Sequence, residues 1–217
     1  MFVCGVPRNL ITFDQIVGLD HSIFGKSSLT LESARELFLA RPEIYSTILC
    51  PKGRVVAYSD VYPLKPEWGR LFVAGKITEG SFRSHMMLDR QDVHEGESFY
   101  VGSVVVTGQY DPVLKSLLLA SLLRWRAYHF QSLSVRVMTL LMTAVTSKGK
   151  RLVNRVDAQK VSSGRDRNDG HDLYEWTTSP ASLHSLSNSI EGFAKQRMVR
   201  LSFDFGACDI PASTPPR

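Results

Sequence analysis

Residues 99–128, FYVGSVVVTGQYDPVLKSLLLASLLRWRAY, restrict the folds open to this chain more than any other stretch. The run Phe99–Val106 is dense in valine, the pattern of a strand buried within a sheet. Asp111 followed by Pro112 sets a capping residue before one favoured in a first helical turn. Leu114, Leu117, Leu118, Leu122 and Trp125 then recur at helical spacing, with Leu119 and Leu123 widening the stripe. A buried strand feeding a long apolar-faced helix belongs to a domain that layers helices on a sheet. The same layout can present a helix N-terminus to a phosphate. Yet where such a loop wants glycines and bare N–H groups, this one has Tyr110, Asp111, Pro112 and Val113.

The flanking segments read as further strands and helices. A helix is expected near residues 13–19. In SSLTLESARELFLARPEIY, Thr30 caps a helix whose Leu31, Ala34, Leu37 and Phe38 share a face, and Pro42 stops it. YSTILC and RVVAYSDVYPL, joined by PKG, form a hairpin signal. RLFVAGKITE reads as a third strand, and SFRSHMMLDRQDVHEGES as a polar connection. SVRVMTLLMTAV is a fifth strand, TSKGKRLVNRV a short amphipathic helix on Leu152, Val153 and Val156, and AQKVSSGRDRNDGHDLYEWTT a second hairpin. Gly102 and Gly108 bracket SVVV, and a glycine in a strand marks a bulge or a close backbone approach. The fold class is therefore α/β (α+β) with a mixed sheet. Residues 1–178 read as the domain and 179–217 as a partly flexible C-terminal extension. HSLSNSIEGFAKQRMVRLSF there supplies a helix and a last apolar segment, and IPASTPPR a frayed end.

A chain of 217 residues suffices for one core and is short for two. Cys4, Cys50 and Cys208 are widely spaced and odd in number, with no metal-ligand spacing, so a reduced, cytoplasmic protein without a metal is expected. The longest apolar tract, around Val113–Leu123, is too short and too polar for a membrane span. The formal net charge is +5, which suits an anionic partner. Lys148, Lys150, Arg151, Arg155, Lys160, Arg165 and Arg167 crowd one stretch, but Asp157, Asp166, Asp169 and Asp172 interleave them. No aromatics are spaced among them for base stacking, so nucleic-acid binding is not indicated.

The order of elements, with GRVVAYSDVYPL as a paired early strand, FYVGSVVV before a Leu-rich helix, and TSKGKRLVNRVDAQKV before DGHDLYEW, resembles the GNAT superfamily of acyl-CoA-dependent N-acyltransferases. The resemblance covers roughly residues 13–176. It implies a mixed, mostly antiparallel sheet whose central strand splays from its neighbour, with acetyl-CoA or another acyl-CoA as cofactor and an amine as acceptor. The backbone of Val104, Val105 and Val106 would hold the pantetheine arm, and Gln109, Tyr110 and Lys115 would meet the phosphates. That family writes its pyrophosphate loop as Arg or Gln, two residues, Gly, one residue, then Gly or Ala. With Leu118 and Leu119 on the family's paired leucines, Tyr110 takes the first position and Val113 and Lys115 the small ones. Shifted by one, Gln109 opens the motif, but Pro112 and Leu114 stand where small residues belong. Val153 falls where many members place a proton-donating tyrosine.

Acyl transfer to an amine needs a base, and Glu79 and Glu97, at the edges of the third and fourth strands, are the candidate carboxylates. His85 and His94 are further candidates in the polar connection. Ser103 and Thr107 lack the partners of a nucleophilic triad. The resemblance thus points to an N-acyltransferase with a divergent cofactor loop. The alternatives are a GNAT-fold binding or regulatory module and an acyltransferase acting on an RNA- or protein-borne amine.

Overall fold

The computed structural model describes residues 1–25, 29–94 and 96–192, and the backbone of 201–203. Among the described residues the strands are β1 (Phe2–Gly5), β2 (Tyr45–Leu49), β3 (Val55–Pro63), β4 (Ser98–Val106), β5 (Met138–Thr143), β6 (Gln159–Ser162), β7 (Leu173–Thr178) and β8 (Leu201–Phe203). They form one sheet in the order β6-β7-β5-β4-β3-β2-β1-β8. Every neighbouring pair is antiparallel except β4–β5 and β1–β8. The helices are α1 (Leu10–Phe24), α2 (Leu31–Ala40), α3 (Pro66–Val73), α4 (Pro112–Ser132), α5 (Ser147–Arg155) and α6 (Pro180–Gly192).

Local chemistry accounts for most boundaries. Asn9, Thr30, Asp111 and Thr146 cap α1, α2, α4 and α5 through their side chains. Gly53 closes the β2–β3 hairpin at φ +72°, a conformation that glycine adopts without strain. One expectation is corrected: RLFVAGKITE is not a strand. Lys65 and Pro66 open α3 there, and the carbonyl of Lys65 accepts from the N–H groups of Trp68 and Gly69. Trp68, Leu71 and Phe72 then stand at helical spacing, with Phe72 fully buried. β3 and β4 pair directly, so no sheet position remains for the intervening segment.

The sheet is covered on both faces. On one face α1 and α2 pack Phe13, Leu37 and Phe38 against Tyr45, Tyr58, Tyr62 and Tyr100. On the other, α4 lays Leu118, Leu122 and Trp125 over Cys4, Ile48 and Val56, and Phe130 over Phe99. α4 also buries its outer side, because α6 lies along it: Ser187 donates to the carbonyl of Ala120, and Arg124 pairs with Glu191. Within residues 179–217, α6 and β8 are the elements described, and IPASTPPR lies outside the described residues.

β4 positions the site. Its ladder to β5 runs only from Ser98↔Thr139 to Val101↔Met142, whereas its ladder to β3 continues to Val106. The strand therefore splays from β5 after Val101. The register to β3 shifts at the same place: Val61 faces Val101 but Asp60 faces Ser103, leaving Gly102 as the extra residue of a bulge. The bulge moves the side-chain alternation by one. Tyr100 packs toward α1 and α2 before it, and Val105 does so after it, while Val104 and Val106 turn toward α4.

Candidate active site

A buried carboxylate cluster lies at the bulge. Asp60, on β3, accepts from Tyr62 Oη at 3.0 Å and from the Ser103 N–H. Glu79, in a 3₁₀ turn (Glu79–Ser81) after α3, accepts from Tyr100 Oη at 3.0 Å. Tyr100 Oη is also 3.0 Å from Thr143 Oγ1, at the end of β5. Asp20, on α1, takes a hydrogen bond from Tyr58 Oη and one at 3.3 Å from Ser103 Oγ. A narrow pocket with an internal volume of about 30 Å³, partly open to solvent, is lined by Asp20, Asp60 and Glu79 together with Phe13, Tyr45, Tyr58 and Tyr62. Gly102 makes the cluster possible. A Cβ on it would lie 2.9 Å from Asp60 Oδ1, 2.9 Å from Tyr62 and 3.1 Å from Glu79 Oε1.

Crowding these carboxylates away from water holds protons on them. Burial, then the Asp60 charge, pushes Glu79 up to about 8, and burial, then the Asp20 charge, pushes Asp60 up to about 7. An amine entering the pocket therefore meets acid groups that titrate near neutrality. The same shifts govern stability. Above the ordinary carboxylate range the unfolded chain has released protons that the fold retains, so stability falls with rising pH, by about 1.4 kcal/mol per pH unit for each retained proton. His129 acts in the opposite sense: burial holds it neutral and pushes it from 6.5 down to about 3. Below pH 6.5 the two effects oppose; from there to about 8 the two carboxylates act together, against the lowered thiol of Cys50. Thermal melts should thus show a Tm that declines from about pH 6.5 to 8.5, and Glu79→Gln should flatten the decline. A Tm that holds or rises over that interval would contradict the protonated cluster.

The other side of the splay is where the resemblance puts the cofactor. The β4 edge beyond Val101 has no β5 partner, which fits an extended pantetheine arm. The start of α4 does not fit a pyrophosphate. Pro112 has no N–H, and the N–H groups of Val113 and Leu114 both donate to Asp111 Oδ1, each at 3.0 Å. The Lys115 N–H donates to the Asp111 carbonyl at 3.0 Å. The donors that would wrap a phosphate are thus held by an aspartate cap.

The sequence candidates are dispersed. Glu79 joins the cluster from a turn rather than from a strand edge. Glu97 immediately precedes β4 at the end remote from the splay, and its carbonyl accepts from Thr139 N. His85 is exposed and packs edge-on against Trp68, and His94 is exposed. Gln109 is exposed, Lys115 is partly buried on α4, and Tyr110 packs edge-on against Phe2. Val104 and Val106 lean on the α4 core, and Val105 is buried on the opposite face. Sequence reading missed Asp20, Asp60, Tyr100 and Thr143. One signal was available for Asp60: an aspartate inside the apolar strand VVAYSDVY is anomalous unless it is paired or functional. Val153, at the tyrosine position, is buried against Met142 and Ala144.

A splayed parallel pair between α4 and α5, in a mostly antiparallel sheet, is the GNAT fold, and this chain has it. Among solved structures it is similar to the loading GNATL domain of CurA from Lyngbya majuscula, with a TM-score of 0.57 at 11% identity over 84% of this chain and 99% of that one. The NatC complex bound to Gag peptide and CoA gives 0.55 at 12% identity, over 82% and 98%. A mosquito arylalkylamine N-acetyltransferase like 5b gives 0.54 at 14% identity, over 82% and 100%. No family model matches the chain, and no curated protein matches it in sequence. Among the described residues no helix is long and apolar enough to cross a membrane.

Proposed function

We propose that the chain is an N-acyltransferase that moves an acyl group from a pantetheine thioester, of the acyl-CoA type, to an amine held in the Asp20–Asp60–Glu79 pocket. One observation carries the reading: the carboxylate pair stands against Gly102, where β4 leaves β5, and Tyr100 links it to Thr143 at the end of β5. The likeness of fold to N-acetyltransferases, one of them bound to CoA, supports it.

As they ionise, from about neutral pH upward, the pocket's carboxylates attract an ammonium group and favour its approach. Glu79, titrating near 8, is suited to take the proton that the amine must lose before it attacks. The thioester supplies the acyl carbon: a C–N bond forms and the C–S bond breaks, and of the two protons that the ammonium nitrogen gives up, one ends on sulfur and the other leaves to solvent. Val153 has no proton to give, so the hydroxyls of Tyr100 and Thr143 are the groups that can lead a proton from Glu79 toward the gap. The aromatic wall of Phe13, Tyr45 and Tyr62 keeps the carboxylates dry, which keeps Glu79 basic enough for the task.

The test is amine-dependent release of free thiol from acetyl-CoA and from acetyl-pantetheine, with alkyl, arylalkyl and polycationic primary amines as acceptors. Release that requires both donor and amine is expected. Its absence with both donors and every amine would leave the second reading, a GNAT-fold module that binds amines without transferring anything, which the capped α4 N-terminus favours.

A further inference from the structure

We propose that the natural donor is a pantetheine arm borne on an acidic carrier protein, and that the carrier docks on the basic face of α5. The inference rests on the acyl-transfer reading above and names its donor.

Three features of the cleft lead there. The first is the closed phosphate cradle. Free CoA differs from its own pantetheine arm by a nucleotide with a pyrophosphate, and Asp111 sits where that group would have to be bound. Its carboxylate already holds the Val113 and Leu114 amides. An added phosphate charge about 4 Å away would be repelled by roughly 1–4 kcal/mol. The second feature is the arm groove, which persists. β4 continues from Gly102 to Val106 with no β5 partner, so an extended chain can still lie along it. A carrier-borne arm satisfies both features best, because it keeps a single phosphodiester charge where CoA brings a pyrophosphate and a phosphorylated nucleotide.

The third feature is the rim. β4 and β5 are parallel, so α4 and α5 leave the same end of the sheet on either side of the gap. They share a face, since Val101 and Trp176 pack with the α4 cluster and also with the α5 cluster. α5 reads SKGKRLVNR and contains no acidic residue. Lys148, Lys150 and Arg151 are exposed on it, and Arg155 reaches across to Ser189. Exposed Val145 precedes it. Lys160, by contrast, is tied to Asp172. A cationic first turn with an apolar neighbour, at the mouth of the arm groove, complements an acidic protein surface. RNA is the weaker match, because no aromatic residue of α5 offers a stacking platform for its bases. The chemistry is unchanged: the acyl carbon passes from the carrier's sulfur to the amine nitrogen, and the carrier leaves with a free thiol.

Binding distinguishes the donors. Four probes are compared by calorimetry: an acyl carrier protein with an S-acetyl phosphopantetheine arm, its apo form, acetyl-pantetheine and acetyl-CoA. The armed carrier should bind tighter than its apo form, and salt raised from about 50 to 300 mM should weaken it about tenfold. Lys148→Glu with Arg151→Glu should weaken it by about tenfold or more, with Tm retained because both side chains are exposed. Acetyl-CoA should bind about fivefold or more weaker than acetyl-pantetheine, since the nucleotide meets no donors of its own and its phosphates are repelled by Asp111. If acetyl-CoA binds more than about a hundredfold tighter, the nucleotide is recognised and the carrier inference falls while acyl transfer stands. Carrier binding indifferent to the charge reversal, or displaced by an RNA homopolymer, would also overturn it. If no thioester probe binds, the acyl-transfer reading fails with it.

Discussion

Glu79→Gln should lower the turnover of acyl transfer by about 10²- to 10⁴-fold, the range that a positioned general base supplies. Glutamine is nearly isosteric and can still accept from Tyr100 Oη, so the fold and the hydrogen bond survive while the proton acceptor is lost. The pH profile separates this role from a structural one. In the wild type the rate should climb as Glu79 ionises, with a midpoint near 8, because burial and then the Asp60 charge raise its affinity for a proton. In the variant that limb should disappear, while the KM for the thioester changes little, because Glu79 lies on the α1–α2 side of β4. If the loss is under tenfold and the limb remains, the base is elsewhere, and Asp60, pushed up to about 7, is the next carboxylate to substitute.

Gly102→Ala carries the second large effect. The added methyl would sit 2.9 Å from Asp60 Oδ1 and 2.9 Å from a carbon of the Tyr62 ring, both fully enclosed. Neither is a flexible end that can swing away, since Asp60 is held by Tyr62 and Ser103. Overpacking of this kind costs about 1–3 kcal/mol, and in a chain of this size each kcal/mol lowers Tm by roughly 2–4 °C. The carboxylates must also move apart, so the apparent midpoint of the pH profile should shift toward the ordinary carboxylate range. Gly108→Ala is the control, because a Cβ there meets nothing within 4 Å. Equal stability of the two variants would remove the close approach at Gly102 from the account of the site.

Much of the fold could be read from the sequence because the signals are local. Asp111 and Pro112 mark the start of α4, Thr30 that of α2, and the Gly-containing PKG link a hairpin, since caps and turns depend on neighbours a few residues away. The error at RLFVAGKITE shows the limit. Its valine and phenylalanine suit a strand, but pairing of β3 directly with β4 left the helix signals of Lys65 and Pro66 to decide. The segment after Thr178 looks detachable in sequence. α6 nevertheless packs on α4, which explains why α4 is apolar on more sides than one sheet contact requires.

The sequence by itself determined the strand–cap–helix unit around Asp111 and therefore the closed phosphate cradle, because a capping side chain reaches only its own helix's first amides. It also placed an irregularity at Gly102. Only the tertiary structure decided what that glycine is for. Asp20, Asp60, Glu79 and Tyr100 come from four separate elements, and their meeting depends on a one-residue bulge that switches which side chains of β4 face α1. Such a switch leaves no periodic trace. The raised proton affinity of the cluster follows from burial among partners distant in sequence, which no local pattern encodes.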